Sequence, residues 1–538
     1  MSMPFEGSGP PPTCQSASTV CNGGAVYECD LGQMGGPIET CSDACSGGRC
    51  VSQACAQAEA GDALRGCRFY AVQIDNIDSE DGKSMMLLLT NASSSSPAYV
   101  VVEARSPTGW DQVASDFVPA GGAARFAVTR PVRDAGHILE AALRITSDNP
   151  VLAVQLISDD TDRLSNSSSG TVLLPAQALG TAHRALTFAE KETTAVTSTV
   201  GARNGAGVIT IVGTIDGTHV TLIPTALTVV AAGMPPWPAM VAFPVTLDEG
   251  DVLQVFSSGP GADLSGSTID SDRPVAVFSG NVFTTYGADL TGFNGGDMAI
   301  EQMPPTSNWA REYVGARLAP QNGCDSFFGL GRGSWQIVAS DQDTMVTLSP
   351  SPGTEFAQGL STSSGMIQLH LKAGESLRFS TFPDPNLAPG ADAPTGDFVL
   401  KASPPVLLAQ WLDCSPGLSL GVDTRFFQDD LLFALPANFE HQAVIVRRLG
   451  VPVQLDGESV PTKMFFPAST GQDYEVARLT DSQLGPCLDT SVPDMCQHHL
   501  SGAAMGLSLR GMDISCSYSL TIPPAPICVL PAPGCEHF

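Results

Sequence analysis

One strand-like run, introduced by a small polar loop and a proline, occurs three times in this chain at nearly constant spacing. Its prolines, separated by 124 and 131 residues, are Pro150, Pro274 and Pro405. A turn glycine keeps the same order and period, at Gly121, Gly250 and Gly374. So does a Leu-Pro or Met-Pro step, at Pro175, Pro304 and Pro436. Self-similarity at a fixed period is typical of tandem copies of one structural unit, which we therefore predict here.

A fourth, shorter copy fits the end of the chain. Residues 449–456 match the runs at 218–224 and 344–350, Gly471 stands in the place of the turn glycine, and Ala504 replaces the proline. Terminal repeats are often atypical. We predict β units at residues 68–183, 184–312, 313–442 and 443–538, meeting near residues 180–186, 309–318 and 440–446.

Short runs of β-branched residues predict the structure inside each unit. In the second unit, residues 208–212 and 220–223 flank the tight-turn pair Asp216-Gly217, and further runs follow at 242–247, 252–257 and 275–279. Short strands at this spacing are typical of antiparallel sandwiches. The prediction is an all-β fold of about four tandem antiparallel β-sandwich-like repeats behind a small disulfide-rich module. A ring in which the four units close on one another is the alternative arrangement.

The disulfide-rich module is predicted from the cysteines of residues 1–67. Eight of the 15 cysteines fall there: Cys14, Cys21, Cys29, Cys41, Cys45, Cys50, Cys55 and Cys67. So short a Gly- and Ser-rich segment lacks a sufficient apolar core, which favours disulfides among these eight over zinc. The further disulfide candidates are Cys324, Cys414, Cys487 and Cys496, with Cys324 predicted to pair with Cys414. The odd total leaves open whether Cys516, Cys528 or Cys535 is free or bonded to another chain.

Charge and hydropathy exclude several classes of partner. The chain has 26 basic and 55 acidic residues, a formal net charge of −29, and few cations to neutralise phosphates, so nucleic acid is excluded as a partner. No apolar run is long enough to predict a transmembrane helix. Disulfides predict a secreted or cell-surface protein. Because residues 1–9 lack the apolar region of a signal peptide, we expect a leader that is not present in this sequence.

Four polar or glycine-rich clusters resemble ligand sites, and we interpret each as structural. The glycines at 329, 331 and 333 precede a strand rather than a helix, so they predict a turn and no nucleotide site. The acidic run from Asp75 to Gly82 fails the EF-hand register. Acidic residues recur after the proline-marked strand at Asp159, Asp160, Asp162, Asp429 and Asp430, which predicts equivalent loops with turns formed by Asp side chains. Cys496, His498 and His499 predict a disulfide with surface histidines. No cofactor is predicted, with weak structural calcium as the alternative.

Two segments carry a resemblance to a known family. Gly250-Asp251, the run Asp-Leu-x-Gly-x-x-Ile-x-Ser-x-x-Pro-Val-Ala-Val-Phe-Ser-Gly at 263–280, and Gln302-x-x-Pro to Trp309 resemble the signature of the IgGFc-binding protein N-terminal domain family. The resemblance covers roughly residues 68–520 and implies a secreted or surface protein, of the kind found in bacteria. The Gly-Asp-Pro-His cleavage motif of vertebrate members does not occur in this sequence, so self-cleavage is not transferred.

These observations predict an extracellular binding or adhesion protein with an unknown protein or glycan ligand. A structural spacer of a surface or matrix is the alternative, and a secreted hydrolase with an unrecognised site is the weaker one. No catalytic motif stands out, so we predict that the protein is not an enzyme. Ligand contacts are expected on loops where the units differ most, at residues 225–238, 286–296 and 351–364.

Overall fold

The structure is a computed structural model of the chain. It describes residues 19–30, 33–61, 64–76, 82–157, 167–189, 205–231, 233–259, 261–284, 297–318, 333–357, 360, 365–383, 396–412, 417–436, 440–471, 473–485, 495–512 and 517–521. The predicted pair Cys324 and Cys414, and Cys14, Cys487, Cys516, Cys528 and Cys535, lie outside these residues.

The N-terminal head is small and cross-linked. Its elements are β1 (Thr19–Asn22), β2 (Ala25–Asp30), β3 (Gln33–Thr40), β4 (Ala44–Ser46), β5 (Arg49–Val51) and α1 (Gln53–Gly61). Disulfides join Cys21 to Cys45 and Cys41 to Cys50, and Cys29 is also disulfide-bonded. A further disulfide joins Cys55 of α1 to Cys67, which lies in the first strand of unit 1. The head is therefore covalently tied to that unit.

Unit 1 is built around one long strand. Its strands are β6 (Gly66–Ala71), β7 (Met85–Thr90), β8 (Ala98–Ser106), β9 (Gly109–Val118), β10 (Ala123–Val128), β11 (Gly136–Ile138), β12 (Leu143–Ile157) and β13 (Ser169–Val172). The first half of β12 pairs with β6 and β8, and its second half pairs with β7 and β13. The long strand thereby joins two antiparallel half-sheets.

Unit 2 repeats this connectivity. Its strands are β14 (Gly180–Arg184), β15 (Gly207–Gly213), β16 (Thr218–Ile223), β17 (Thr228–Val229), β18 (Phe243–Leu247), β19 (Val252–Ser257), β20 (Thr268–Thr284) and β21 (Asp297–Gln302). The long strand β20 pairs first with β14 and β16, then with β15 and β21. Short β11 of unit 1 adds to β19 at the sheet edge.

Units 3 and 4 follow the same plan. Unit 3 contains β22 (Ala310–Gly315), β23 (Gly333–Ala339), β24 (Thr344–Pro350), β25 (Thr354–Ala357), β26 (Ile367–Leu371), β27 (Ser376–Pro383), β28 (Phe398–Leu412), β29 (Gly417–Leu420) and β30 (Val422–Asp423). Unit 4 contains β31 (Gln428–Pro436), β32 (Glu440–Arg448), β33 (Val453–Leu455), β34 (Glu458–Ser459), β35 (Phe466–Pro467), β36 (Tyr474–Thr480), α2 (Asp481–Leu484), β37 (Met495–Met512) and β38 (Ser517–Thr521). The long strands are β28 and β37.

The repeated proline marks the point where each long strand changes partners. Pro274 lies between Ser271, which pairs with β16, and Val275, which pairs with β15. Pro150 and Pro405 lie at the same switch, and Ala504 does so in unit 4. Proline has no N–H to donate to a ladder, so it fits where the strand leaves one sheet and has not yet joined the other. The first marker was therefore aligned correctly.

The third marker was wrong in its last copy. Pro175, and Pro305 one residue after the predicted Pro304, each precede a 3₁₀ helix at a unit junction, Ala176–Ala178 and Thr306–Asn308. Pro436 instead ends β31, and the equivalent 3₁₀ helix, Thr424–Phe426, is capped by Asp423. The first strand of unit 4 therefore precedes the predicted meeting point at 440–446. Asp429 and Asp430 lie in β31, and Asp159, Asp160 and Asp162 lie outside the described residues.

The four units close into a ring. The strand that follows each long strand and pairs with it, which we call the inner strand of the unit, is β13, β21, β29 or β38. These contact one another in a closed cycle: β13 with β21, β21 with β29, β29 with β38, and β38 with β13. Apolar clusters span each junction, including Phe126 with Phe278 between units 1 and 2, and Leu88 with Phe433 between units 1 and 4. The all-β prediction, with antiparallel units behind a disulfide-bonded head, is confirmed. The exact domain boundaries remain a prediction.

Candidate binding surface

A long uncharged segment of unit 2 stands out among the described loops. Residues 224–247, which we call the unit 2 apolar loop, contain no Asp, Glu, Lys or Arg. The segment follows β16, includes β17 and ends with β18, and it is held by backbone pairing: Thr228 and Trp237 exchange two N–H to carbonyl hydrogen bonds, of 3.0 and 2.6 Å. Thr228 also pairs with Ser257 of β19. The loop is thus fixed to the sheet at its base.

Large apolar side chains of this loop face solvent. Met234 and Met240 are 59% and 72% exposed, with Leu227 and Val241 over 40%. Trp237 packs against the core at the base of the loop: its indole Nε1 donates to the Val241 carbonyl at 2.8 Å, and its ring meets Phe243 edge-on at 5.1 Å. Contiguous exposed apolar surface typically marks an interaction site, and methionine adapts readily to a partner's shape.

The predicted loop 225–238 therefore coincides with an exposed apolar surface, although Met240 and Val241 lie just beyond it. Of the other predicted loops, 286–296 lies outside the described residues. Residues 351–357 form a turn and β25, with the Ser351 and Thr354 hydroxyls 2.7 Å apart. Sequence reasoning missed a smaller exposed pair in unit 1, where the Tyr99 and Phe117 rings lie 4.9 Å apart on β8 and β9. The alternation of residue types along β8 and β9 could have indicated this exposed pair.

The family-like motif at 263–266 lies at the junction of units 2 and 3. Asp263 Oδ1 accepts hydrogen bonds from the Ser265 backbone and the Thr187 hydroxyl, both at 2.9 Å. Its Oδ2 accepts from Arg378 of β27, at 2.6 Å. Arg378 also lies over the Phe188 ring, 4.3 Å from its centre. These residues therefore join two units.

The contact between inner strands β13 and β21 is polar. Hydroxyls of unit 1 replace a backbone ladder by accepting N–H groups at alternate positions of unit 2: Met298 to Ser167 at 3.0 Å, Ile300 to Ser169 at 2.9 Å, and Gln302 to Thr171 at 2.9 Å. Glu301 is buried in the same contact, and burial raises the pKa of its carboxyl well above the ordinary value. A neutral acid there donates or accepts hydrogen bonds without a buried charge.

Cys496, His498 and His499, predicted as a disulfide with surface histidines, form local pairs, and His498 is buried rather than at the surface. Cys496 is disulfide-bonded, so its sulfur is not a thiolate ligand. His498 Nδ1 lies 2.7 Å from Asp456, and His499 contacts Asp430. In unit 1, Asp75 accepts from the Asp134 backbone at 3.2 Å. Within the described ranges, no cluster of three or more His, Cys, Asp or Glu side chains has an arrangement that could hold a metal ion. Among those residues there is also no helix with the length and hydrophobicity to cross a membrane.

Comparison with known proteins gives a consistent picture. The profile of a family described as IgGFc binding protein matches residues 169–496, more than half of the chain. A human protein named IgGFc-binding protein is 26% identical over 321 residues, which are 59% of this chain and 5% of that protein. A solved structure described as a tetra-tandem repeat in the extending region of a large adhesion protein aligns over 84% of this chain and 97% of its own, at 11% identity. Its TM-score of 0.09 supports no argument about the fold.

Proposed function

The chain belongs to the IgGFc-binding protein family, and we propose that it is an extracellular binding protein whose ligand contacts the unit 2 apolar loop. The profile match spans units 2 and 3 and most of unit 4, so it includes this loop. It is narrower than the span of 68–520 expected from the sequence, because unit 1 lies almost entirely before it. Disulfides in the head fit an oxidising compartment, which supports secretion or surface display.

The exposed apolar loop is the observation that carries this proposal. A chain with a net charge of −29 repels other acidic surfaces, whereas the exposed part of this uncharged 24-residue segment offers a contact without that repulsion. The loop stands on a buried sheet, which limits the entropy lost when a ligand orders it. Binding would therefore depend on apolar contact more than on ionic strength. The ligand class, protein or glycan, is a separate question for experiment.

A structural spacer is the second candidate, and the ring supports it. Shared apolar cores at the junctions fix the units relative to one another, as a rigid spacer requires. A spacer needs no exposed apolar loop, however. The two roles differ in whether an isolated ring binds any ligand. The hydrolase reading has no group of residues in its favour within the described chain, and we propose that the protein acts by binding.

The test compares two pairs of exposed methionines. Arrays of extracellular proteins and of glycans, with immunoglobulin Fc as one defined probe, would be screened with the whole chain. The double variant Met234→Ser with Met240→Ser should bind the ligand about tenfold more weakly, or weaker still. The matched variant Met345→Ser with Met366→Ser changes exposed methionines of unit 3 and should bind normally. Equal binding by both variants would move the site elsewhere, and a wild-type chain that binds nothing would favour the spacer.

A further inference from the structure

A pocket in unit 4 is lined by polar side chains that can all donate hydrogen bonds. Its volume is about 220 Å³, and it is lined by Lys463, Met464, Phe466, Arg478 and Gln483. Among the described lining residues, the polar members are two cations and an amide, without a carboxylate. In a chain with 55 acidic and 26 basic residues, such a lining runs against the overall charge. It therefore favours an anionic ligand over a neutral one.

The two cations differ in how they are held. Arg478 is buried, with Nε donating to the Arg317 carbonyl at 2.9 Å and Nη2 donating to Asp397. These bonds orient the guanidinium, while its Nη1 makes no hydrogen bond to the described residues. Lys463, in the 3₁₀ helix Thr462–Met464, is exposed and forms no ion pair within the same part of the chain. The pocket thus keeps one uncompensated positive charge beside one oriented donor.

Gln483 adds a third donor. Its Oε1 accepts from the Thr480 backbone at 2.9 Å and from the Thr480 hydroxyl at 3.2 Å, in the capping box that begins α2. Because the oxygen is occupied, the side-chain NH₂ is the group left for a ligand. A carboxylate accepts hydrogen bonds and carries negative charge, so it matches all three polar members of the lining.

Met464 and Phe466 give the pocket an apolar wall. Both are half-buried, and a flat aromatic face suits the C–H surface of a sugar ring. The volume is below that of sites for drug-sized ligands and fits about one ring. We propose that this pocket binds an acidic sugar residue, such as a uronate or a sialate, through its carboxylate. The site is on different elements from the unit 2 apolar loop, so neither proposal depends on the other.

The test is calorimetric titration of the whole chain with glucuronic acid and N-acetylneuraminic acid, with glucose as the neutral control. At ligand concentrations on the order of 10 mM, at least one acid should bind and glucose should not. Lys463→Gln should weaken binding about tenfold, and added salt should weaken it too. Which of the two acids binds distinguishes a uronate from a sialate pocket.

Two controls keep the result decisive. Lys372→Gln removes another exposed lysine, on a turn of unit 3 outside the pocket, and should leave binding unchanged. The Met234→Ser, Met240→Ser variant should also bind the sugar normally, so loss of the apolar-loop ligand and loss of the sugar can be separated. Equal affinity for glucose, equal affinity in Lys463→Gln, or no binding of either acid would overturn the proposal.

Discussion

Thr171 and Glu301 meet between two inner strands, where the Thr171 hydroxyl donates to Glu301 Oε2 at 2.6 Å. They occupy equivalent places in their units. Thr171 pairs with Gln155, five residues after Pro150, and Glu301 pairs with Ser279, five residues after Pro274. The repeat therefore sets the backbone positions at the centre of the ring, while the side chains there differ from unit to unit.

Glu301 should make the chain less stable as the pH rises. Its pKa is raised by burial, so folding keeps it protonated while the unfolded chain ionises above its ordinary pKa of about 4.5. This contribution is fully present below that pH and is lost on the order of 1.4 kcal/mol per pH unit above it. Glu301→Gln removes the titration. Urea unfolding from pH 5 to pH 7 should show the variant gaining stability relative to wild type.

The control for this measurement is Glu458→Gln. Glu458 is exposed on β34, so its replacement should give a curve parallel to wild type. A Glu301→Gln curve that is also parallel would mean that Glu301 is ionised in the folded chain.

His183 should make the chain less stable as the pH falls, the opposite of the effect expected for Glu301. Burial lowers its pKa to about 3, and neither ring nitrogen has a hydrogen-bond partner in the described structure. Below an unfolded pKa of about 6.5, the unfolded chain takes up a proton that the folded chain refuses, so stability is lost as the pH falls towards 3. The slope is on the order of 1.4 kcal/mol per pH unit.

The variant that tests His183 is His183→Leu, which removes no hydrogen bond. Measured between pH 6.5 and pH 5, where few carboxylates titrate, its stability should fall less steeply than that of wild type. An identical slope in His183→Leu would show that the buried ring is protonated after all.

Glu249 anchors unit 2 to unit 1. Its carboxylate accepts from Tyr70 Oη at 2.7 Å, Trp110 Nε1 at 3.2 Å and Arg144 Nη1 at 3.3 Å. Burial, together with this carboxylate, raises the pKa of the Tyr70 hydroxyl, so it stays a donor. Glu249→Ala should cost about 2 kcal/mol in urea unfolding, because three donors lose a charged acceptor.

A second variant measures what one hydrogen bond to Glu249 contributes at this junction. Tyr70→Phe removes one donor and should cost about 1 kcal/mol. Exposed Glu458→Ala should stay within about 0.5 kcal/mol of wild type. If Glu249→Ala matches Glu458→Ala, the junction is held by apolar packing alone.

The sequence predicted the backbone plan better than the contacts between units. Proline and turn glycine recur because they meet backbone requirements, so Pro274 and Gly250 could be aligned without a structure: Gly250 has a φ of +91°. Pro436 was aligned wrongly because the 3₁₀ helix before unit 4 is capped by the Asp423 side chain instead of following a proline. Such a cap leaves no repeated proline in the sequence. Chemically different residues, a proline or an aspartate, can therefore begin the same 3₁₀ helix.

The candidate sites were harder to predict from the sequence, because they depend on contacts between segments that are distant in the chain. The unit 2 apolar loop could be predicted as a variable loop, since turn residues such as Pro235 and Pro236 mark it, but the exposure of Met240 depends on how Trp237 packs. The unit 4 pocket combines Lys463 with Arg478, which come together only when β36 pairs with β35. Glu301 carries no local signal of burial, because the neighbouring inner strand buries it.

The family motif at 263–266 gives the sharpest test of the ring. Gly266 has a φ of +82°, and a Cβ there would lie 2.3 Å from the Gly374 carbonyl oxygen of unit 3. Gly259 has a φ of +93° but open space around its Cβ position. Alanine at either site meets the left-handed strain, about 1 kcal/mol, whereas only Gly266→Ala also pushes two units apart, which costs a further 1–3 kcal/mol or so.

Urea unfolding should therefore place Gly266→Ala well below Gly259→Ala in stability, and limited proteolysis should cut it faster. The comparison cancels the backbone strain that both variants share, so the remaining difference reports the contact between units 2 and 3 alone. Equal stability of the two variants would mean that the units do not touch at Gly374, and the motif would then need a role outside the junction. A large difference explains why this position requires glycine: the backbone of the next unit occupies the space a side chain would fill.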